Sequence, residues 1–155
     1  MPTSEPPAEQ RGGVSPAPAN HQRAQLSVLD AVPEGSRVVS LVWSPCKGWA
    51  NRRSDHLPSM VIVRREGFGN DQWPLAGSSL LTTTYPEAGW FKGDPSGVVR
   101  SEGCRREGVP IELSLRAIPR DAFDYLWLID LPPIPRAWVV GWEPLRIADG
   151  SLLLK

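Results

Sequence analysis

The feature that most constrains the fold is the apolar run at residues 123–130, which reads FDYLWLID. The run AIPRD precedes it and LPPIP follows it, so prolines bound the segment on both sides. A short apolar run between such breakers is typical of a strand that is buried on both faces. A strand covered above and below needs neighbours on each side. We therefore predict that this one lies inside a mixed or parallel sheet.

The charge of the chain excludes some classes of partner. Its 17 Lys and Arg residues balance 17 Asp and Glu residues, so no overall field draws it onto nucleic acid or an anionic bilayer. No run approaches the roughly 18 apolar residues of a membrane helix. The N-terminus also lacks the apolar centre of a secretory signal. We expect a soluble chain with no nucleic-acid partner and no direct membrane insertion.

The first 20 residues differ in composition from the rest. They are rich in Pro, Ser, Ala, Glu and Gly, with Val14 as a rare aliphatic side chain. Such a segment cannot bury enough apolar surface to offset the entropy lost on ordering. We predict a disordered, proline-rich tail at 1–20 and one domain at 21–155.

The order of predicted elements is typical of an α/β domain. Apolar residues at helical spacing predict a helix within 21–32, and RVVSLVW at 37–43 predicts a second buried strand. Another helix is predicted at 111–118, directly before the central strand. The repeated helix-then-strand order predicts a single mixed sheet in a loosely Rossmann-like α/β domain.

The remaining segments give weaker patterns. Residues 60–65 (MVIVRR) include three successive β-branched side chains, which favour a strand over a helix. Residues 80–85 suit an edge strand, 86–110 a long irregular loop, and 136–142 one or two helical turns. Asp149 and Gly150 tolerate positive φ, so they predict the two-residue turn of a C-terminal β-hairpin.

The two cysteines, Cys46 and Cys104, lie in the two longest predicted loops and allow three interpretations. A disulfide would close a long loop and would require an oxidising compartment. Two unpaired thiols are the plain alternative. A metal site with Asp55 and His56 is the third, but no CxxC or HxxxH spacing supports it. We predict no metal.

The candidate ligand-binding residues are polar side chains beside the predicted strands, namely His56, Asn70, Asp71, Gln72 and Asp130. His56 could act as a base or could only tie its loop by a hydrogen bond. The cluster at 70–72, ahead of Trp73, could hold a ligand's hydroxyls or could satisfy loop backbone groups. Asp130 ends the central strand, where ligands gather in open α/β sheets or where a plain turn begins.

Motifs that bind common cofactors do not occur in this chain. No glycine-rich phosphate loop follows either buried strand, and the Gly-x-Ser-x-Gly elbow of α/β hydrolases is missing. We therefore predict no cofactor and assign no catalytic residue.

Several short motifs in this order carry a resemblance. They are PEGSRV at 33–38, DHLP at 55–58, VIVRR at 61–65, FGNDQW at 68–73, DPS at 94–96, the central FDYLWLID and the closing Asp-Gly hairpin. Over about residues 24–155 the chain resembles the C-terminal soluble domain of multi-pass, glycosyltransferase-like membrane proteins of α-proteobacteria.

The resemblance implies a mixed α/β domain on the extracytoplasmic side, which favours the disulfide between Cys46 and Cys104. In such transferases the acidic catalytic residues lie in loops near the first membrane helices. The resemblance therefore transfers no catalytic residue to this chain.

Three functions are compatible with these patterns. The first is a non-catalytic accessory domain that binds glycan or a membrane-embedded transferase part. The second is a small stand-alone enzyme with a pocket near Asp130, His56 and residues 70–72. The third is a protein-interaction module that uses the loop at 86–110.

Overall fold

The computed structural model describes residues 16–46, 54–73, 84–94, 96–104 and 108–155. Among them, one mixed sheet contains β1 Arg37–Trp43, β2 Phe68–Gly69, β3 Val98–Arg100, β4 Val109–Pro110, β5 Tyr125–Ile129, β6 Pro144–Ala148 and β7 Ser151–Leu154. The α-helices are α1 Pro16–Leu26, α2 Met60–Arg65 and α3 Ile111–Ala117. Short 3₁₀ helices span Ser27–Ala31, Leu57–Ser59, Pro86–Lys92, Arg120–Ala122 and Arg136–Val139. The predicted α/β class with one mixed sheet is confirmed.

The sheet is parallel at its centre and antiparallel at one end. The strand order is β4-β3-β1-β5-β7-β6, and β2 pairs separately with the start of β1. Strands β3, β1 and β5 run parallel, whereas β7 and β6 are antiparallel to their neighbours. All five residues of β5 are buried, so the prediction of a central strand covered on both faces is confirmed.

Each face of the sheet has its own apolar core. On one face, side chains of β1 and β5 pack against α3 and against the 3₁₀ helices Pro86–Lys92 and Arg136–Val139. On the other face they pack against the 3₁₀ helix Ser27–Ala31 and against α2. Residues on a strand alternate between the two faces, so the apolar run of β5 supplies both cores.

An ion pair holds the amino ends of the two central strands together. Arg37 at the start of β1 donates from Nε to Asp124 Oδ2 at 3.1 Å and from Nη2 to Asp124 Oδ1 at 2.6 Å. The Arg37 backbone N–H donates to the same carboxylate at 2.8 Å. The third guanidinium nitrogen donates to the Tyr85 hydroxyl, which in turn donates to the Ala122 carbonyl. This network fixes the register of β1 against β5.

The prediction of a strand at 60–65 is wrong, because these residues form the helix α2. Val61 is buried against the sheet while Val63 is 71% exposed, so burial on one face overrides the β preference of the branched side chains. The helix ends at Glu66, which adopts a left-handed conformation (φ 47°). Gly67 follows at a point where a Cβ atom would lie 2.3 Å from the Ser36 carbonyl oxygen.

Other boundaries also differ from the predictions. The prediction of an irregular loop at 86–110 is wrong, because this segment contains a 3₁₀ helix and the strands β3 and β4. These strands have three and two residues, which is too few to leave a periodic pattern in the sequence. Helix α1 begins at Pro16, inside the predicted disordered tail, and residues 1–15 lie outside the described residues. Residues 80–83 of the predicted edge strand also lie outside them, while 84 and 85 are not in a strand.

Three predictions near the C-terminal half are confirmed. The helix at 111–118 is α3, and the helical turn at 136–142 is the 3₁₀ helix Arg136–Val139. Strands β6 and β7 form the hairpin, and both of its turn residues have positive φ, 40° at Asp149 and 84° at Gly150.

Candidate functional site

The carboxyl ends of the parallel strands meet at one edge of the sheet, and most of the candidate residues lie there. Asp130 follows β5 directly, and Ser54 contacts it from the segment that leads into α2. Asn70 follows β2 and bonds to Ser40 in the middle of β1, and the next residue, Asp71, accepts a hydrogen bond from Ser59, which directly precedes α2. We call this part of the molecule the carboxyl edge.

Asp130 is held by groups from separate parts of the chain. Its Oδ1 accepts a hydrogen bond from Gln25 Nε2 of α1 at 2.6 Å, and its Oδ2 accepts one from Ser54 Oγ at 2.6 Å. Its backbone N–H donates to the Gly150 carbonyl at 2.8 Å. The backbone of Asp130 has φ 57°, in the left-handed region that Asp and Asn enter more readily than other residues with a side chain. Asp130 therefore links α1, the segment at Ser54 that leads into α2, and the turn of the C-terminal hairpin.

His21 lies between two carboxylates at this edge. Its Nδ1 is 2.7 Å from Asp149 Oδ2, and its Nε2 is 3.6 Å from Asp130 Oδ1. Sequence reasoning missed His21, Gln25 and Ser54. Gln25 and Asp130 are 105 residues apart, and no local pattern links positions so distant.

Asn70 does not face the carboxyl edge as a ligand group. It is fully buried, and its side-chain amide bonds to the backbone of Ser40 in the middle of β1. Oδ1 accepts from Ser40 N at 2.7 Å, while Nδ2 donates to Ser40 O and to Ser96 Oγ, each at 3.0 Å. Both N–H bonds of the Asn70 side-chain amide therefore have partners within the protein, and the role of Asn70 is to stabilise the sheet.

His56 and Asp71 are brought together, as a functional pair would require. His56 Nδ1 is 4.0 Å from Asp71 Oδ2, and the same oxygen accepts a hydrogen bond from Ser59 Oγ. The Asp71 side chain is only 12% exposed whereas that of His56 is 86% exposed. Burial raises the pKa of Asp71, although the hydrogen bond from Ser59 opposes this shift.

The segment after Asp71 brings an aromatic ring to the surface. The Gln72 carbonyl accepts from the backbone N–H of Asp94 at 2.9 Å, which fixes the segment, and the next residue, Trp73, is 65% exposed. We call His56, Asp71, Gln72 and Trp73 the indole ridge. Its members are linked by the 4.0 Å approach of His56 to Asp71 and by the chain from Asp71 to Trp73, and they comprise an imidazole, a carboxylate, an amide and an indole.

The two cysteines are joined in the structure. Cys46 follows β1, Cys104 follows β3, and their Cα atoms are 5.6 Å apart in a disulfide. Because β1 and β3 are neighbours, the bridge links the two chain segments that leave the carboxyl edge side by side. The whole indole ridge lies inside the loop that this bridge closes.

The metal hypothesis receives no support from the described parts of the chain. Within them, no group of three or more His, Cys, Asp or Glu side chains is arranged to hold a metal ion. None of the helices in these parts has the length and apolar character to cross a membrane.

Comparison with known protein families, with characterised proteins and with solved structures gives no significant match to this chain.

Proposed function

We propose that this chain is a non-catalytic accessory domain that binds glycan through the indole ridge. The single observation that carries the proposal is the exposed indole of Trp73, two residues beyond the Asp71 carboxylate that His56 approaches to 4.0 Å. The proposal keeps the relation to the soluble part of a membrane glycosyltransferase-like protein, which rests on the motifs quoted above.

A sugar ring needs two kinds of contact, and the ridge offers both. The C–H face of a pyranose is apolar and packs on an aromatic ring, and Trp is the side chain with the largest such surface. The hydroxyl groups need oriented acceptors and donors, which a carboxylate, an amide and an imidazole supply. The Ser59 hydroxyl holds Asp71 in place before a ligand arrives, which lowers the entropy lost on binding.

The topology supports a site at this edge. Strand β3 lies on one side of β1 and β5 on the other, so the direction of strand order changes at β1. In Rossmann-like sheets, ligands bind outside the carboxyl ends of strands at such a switch point. We propose on this ground that the domain is loosely Rossmann-like in its parallel half.

The disulfide between Cys46 and Cys104 supports an extracytoplasmic location for the domain. Disulfides persist in oxidising surroundings, in agreement with an extracytoplasmic domain next to a membrane-embedded transferase part.

The test is binding to a panel of oligosaccharides, followed by tryptophan fluorescence and calorimetry. For any glycan that binds, we expect Trp73→Ala to weaken the affinity by about tenfold or more, because the variant loses a stacked aromatic contact. Trp90→Ala is the matched control, because Trp90 is also exposed (54%) but lies outside the ridge. Failure of every glycan to bind, or equal losses in the two variants, would overturn the proposal.

A further inference from the structure

Polar contacts around the hairpin turn hold helix α1 against the carboxyl edge. Gln25 is fully buried and donates to Asp130, while His21, one helical turn earlier, lies between Asp130 and Asp149. Gly150 allows this close approach, because a Cβ atom there would lie 2.8 Å from Asp130 Oδ1 and 3.7 Å from His21 Cε1. The hairpin turn, the end of β5 and α1 therefore meet at His21.

The two carboxylates share His21 as their ionisable partner. Between described residues, Asp130 and Asp149 form ion pairs with His21 and with no Lys or Arg. The other side-chain contacts of Asp130 are hydrogen bonds from the uncharged groups of Gln25 and Ser54. A proton on His21 therefore brings a positive charge to two carboxylates that no other described cation neutralises.

The surrounding elements carry four further charged side chains, namely Arg23 on α1, Asp30 on the next 3₁₀ helix, Asp55 after Ser54 and Arg146 on β6. Arg23 donates to Asn20, and Asp30 accepts from Arg65. Arg146 stands opposite Leu153, so it shares the sheet face on which the 3₁₀ helix Ser27–Ala31 packs. Its charge opposes a proton on His21, whereas the two carboxylates within 4 Å favour one.

The protonation state of His21 decides how many of these contacts the imidazole can make. A neutral imidazole has one N–H, which donates from Nδ1 to Asp149 Oδ2 across 2.7 Å and leaves the Nε2 lone pair 3.6 Å from Asp130 Oδ1. An imidazolium has an N–H on both nitrogens and a positive charge, so it attracts both carboxylates. Histidine side chains change between these two states around neutral pH.

We propose that His21, Asp130 and Asp149 form a pH-sensitive latch on α1. Below neutral pH the protonated imidazole holds α1 against the hairpin turn and against the end of β5. As pH rises, loss of the proton leaves one hydrogen bond and removes the attraction, so α1 opens more often. Because Gln25 of the same helix holds Asp130, opening of α1 also releases a contact of the carboxyl edge. The latch is separate from the indole ridge and does not rest on glycan binding.

Native-state hydrogen exchange measures the opening of α1. Backbone amides at 20–26 are compared with those of β5 at about pH 5.5 and about pH 8, after correction for intrinsic exchange rates. We expect the protection of α1 relative to β5 to be about threefold lower at the higher pH, which is the scale of a partly exposed ion pair. The β5 amides report global unfolding, so the ratio isolates the helix.

Three variants assign the effect to the latch. His21→Gln should remove the pH dependence, because an amide can donate a hydrogen bond but cannot gain a charge. His56→Gln is the matched control and should keep the change, since His56 is the second of the two histidines in the chain and its side chain is 86% exposed. Asp149→Asn should reduce the change, because one of the two carboxylates is lost.

The proposal is overturned if the protection of α1 relative to β5 is equal at the two pH values, or if His21→Gln retains the change. Loss of the change in His56→Gln would overturn it as well. If His21→Gln does not fold, Asp149→Asn decides, and an undiminished change in that variant counts against the latch. Trp73→Ala should keep the pH dependence, so failure of the glycan proposal and failure of this one are separate results.

Discussion

The side-chain amide of Asn70 takes the place of a peptide group beside Ser40, accepting from its N–H at 2.7 Å and donating to its carbonyl at 3.0 Å. On this side of β1, β2 pairs with residues 37 and 38 and β3 pairs with residues 42 and 43. Asn70 fills the interval between them. Two short strands and one side chain thereby act as a single neighbour of β1.

The first prediction is that Asn70→Ala strongly destabilises the domain. The substitution leaves the buried N–H and carbonyl of Ser40 without partners, which costs roughly 2 to 4 kcal/mol of unfolding free energy. Asn70→Asp should also destabilise, because a carboxylate cannot donate to the Ser40 carbonyl. Urea denaturation measures both, with Asn20→Ala on the exposed surface of α1 as control. An unfolding free energy for Asn70→Ala within experimental error of the unsubstituted protein would contradict this role.

Asn70 also shows where sequence reasoning stops. Strands β1 and β5 could be predicted because burial on both faces leaves a continuous apolar run, and the hairpin could be predicted because its turn chemistry is local. Strands β2 and β4 have two residues each, too few to show any period. The polar cluster at 70–72 was visible, but only tertiary contacts separate buried Asn70 from the Asp71 that lies beside His56.

The second prediction concerns acid stability at the amino ends of the strands. Hydrogen bonds from Arg37 hold the pKa of Asp124 below its ordinary value of 3.8. The unfolded chain therefore takes up this proton first as pH falls, so the stabilisation is complete above about pH 4 and is lost below it. Asp124→Asn should remove this part of the acid dependence, at a cost on the order of 1 kcal/mol at neutral pH because the pair is partly exposed.

Urea denaturation of both proteins between neutral pH and about pH 3 makes the comparison. Asp121→Asn, a substitution at an exposed neighbouring carboxylate, is the control and should keep the acid dependence of the unsubstituted protein. Parallel curves for Asp124→Asn and the unsubstituted protein would show that the ion pair contributes nothing.

The third prediction has the opposite sign and concerns Asp71. Burial raises the pKa of this carboxyl in the folded protein above 3.8, so the native state binds the proton more tightly than the unfolded chain. Stability from this group therefore falls as pH rises from 3.8 toward the raised pKa. Asp71→Asn should lack that loss while its amide oxygen still accepts from Ser59.

The measurement is the difference in unfolding free energy between Asp71→Asn and the unsubstituted protein as a function of pH. We expect the variant to gain relative stability as pH rises above about 4. A difference that is constant with pH would mean that Asp71 is not desolvated.

The fourth prediction concerns the bridge between Cys46 and Cys104, which closes a loop of 58 residues in sequence separation. In the chain-entropy model a loop of this length stabilises the folded state by about 4 kcal/mol, because the reduced unfolded chain regains the freedom that the bridge removed. The double variant Cys46→Ser, Cys104→Ser should lower the unfolding free energy by a comparable amount, as should a dithiol reductant. The reductant should have no effect on the double variant.

Because Ser54, His56 and Trp73 lie inside this loop while β1, β5 and β7 lie outside it, hydrogen exchange of the reduced protein should rise first within residues 54–73. Uniform exchange across the sheet and this segment would instead mean that the bridge stabilises the domain only as a whole.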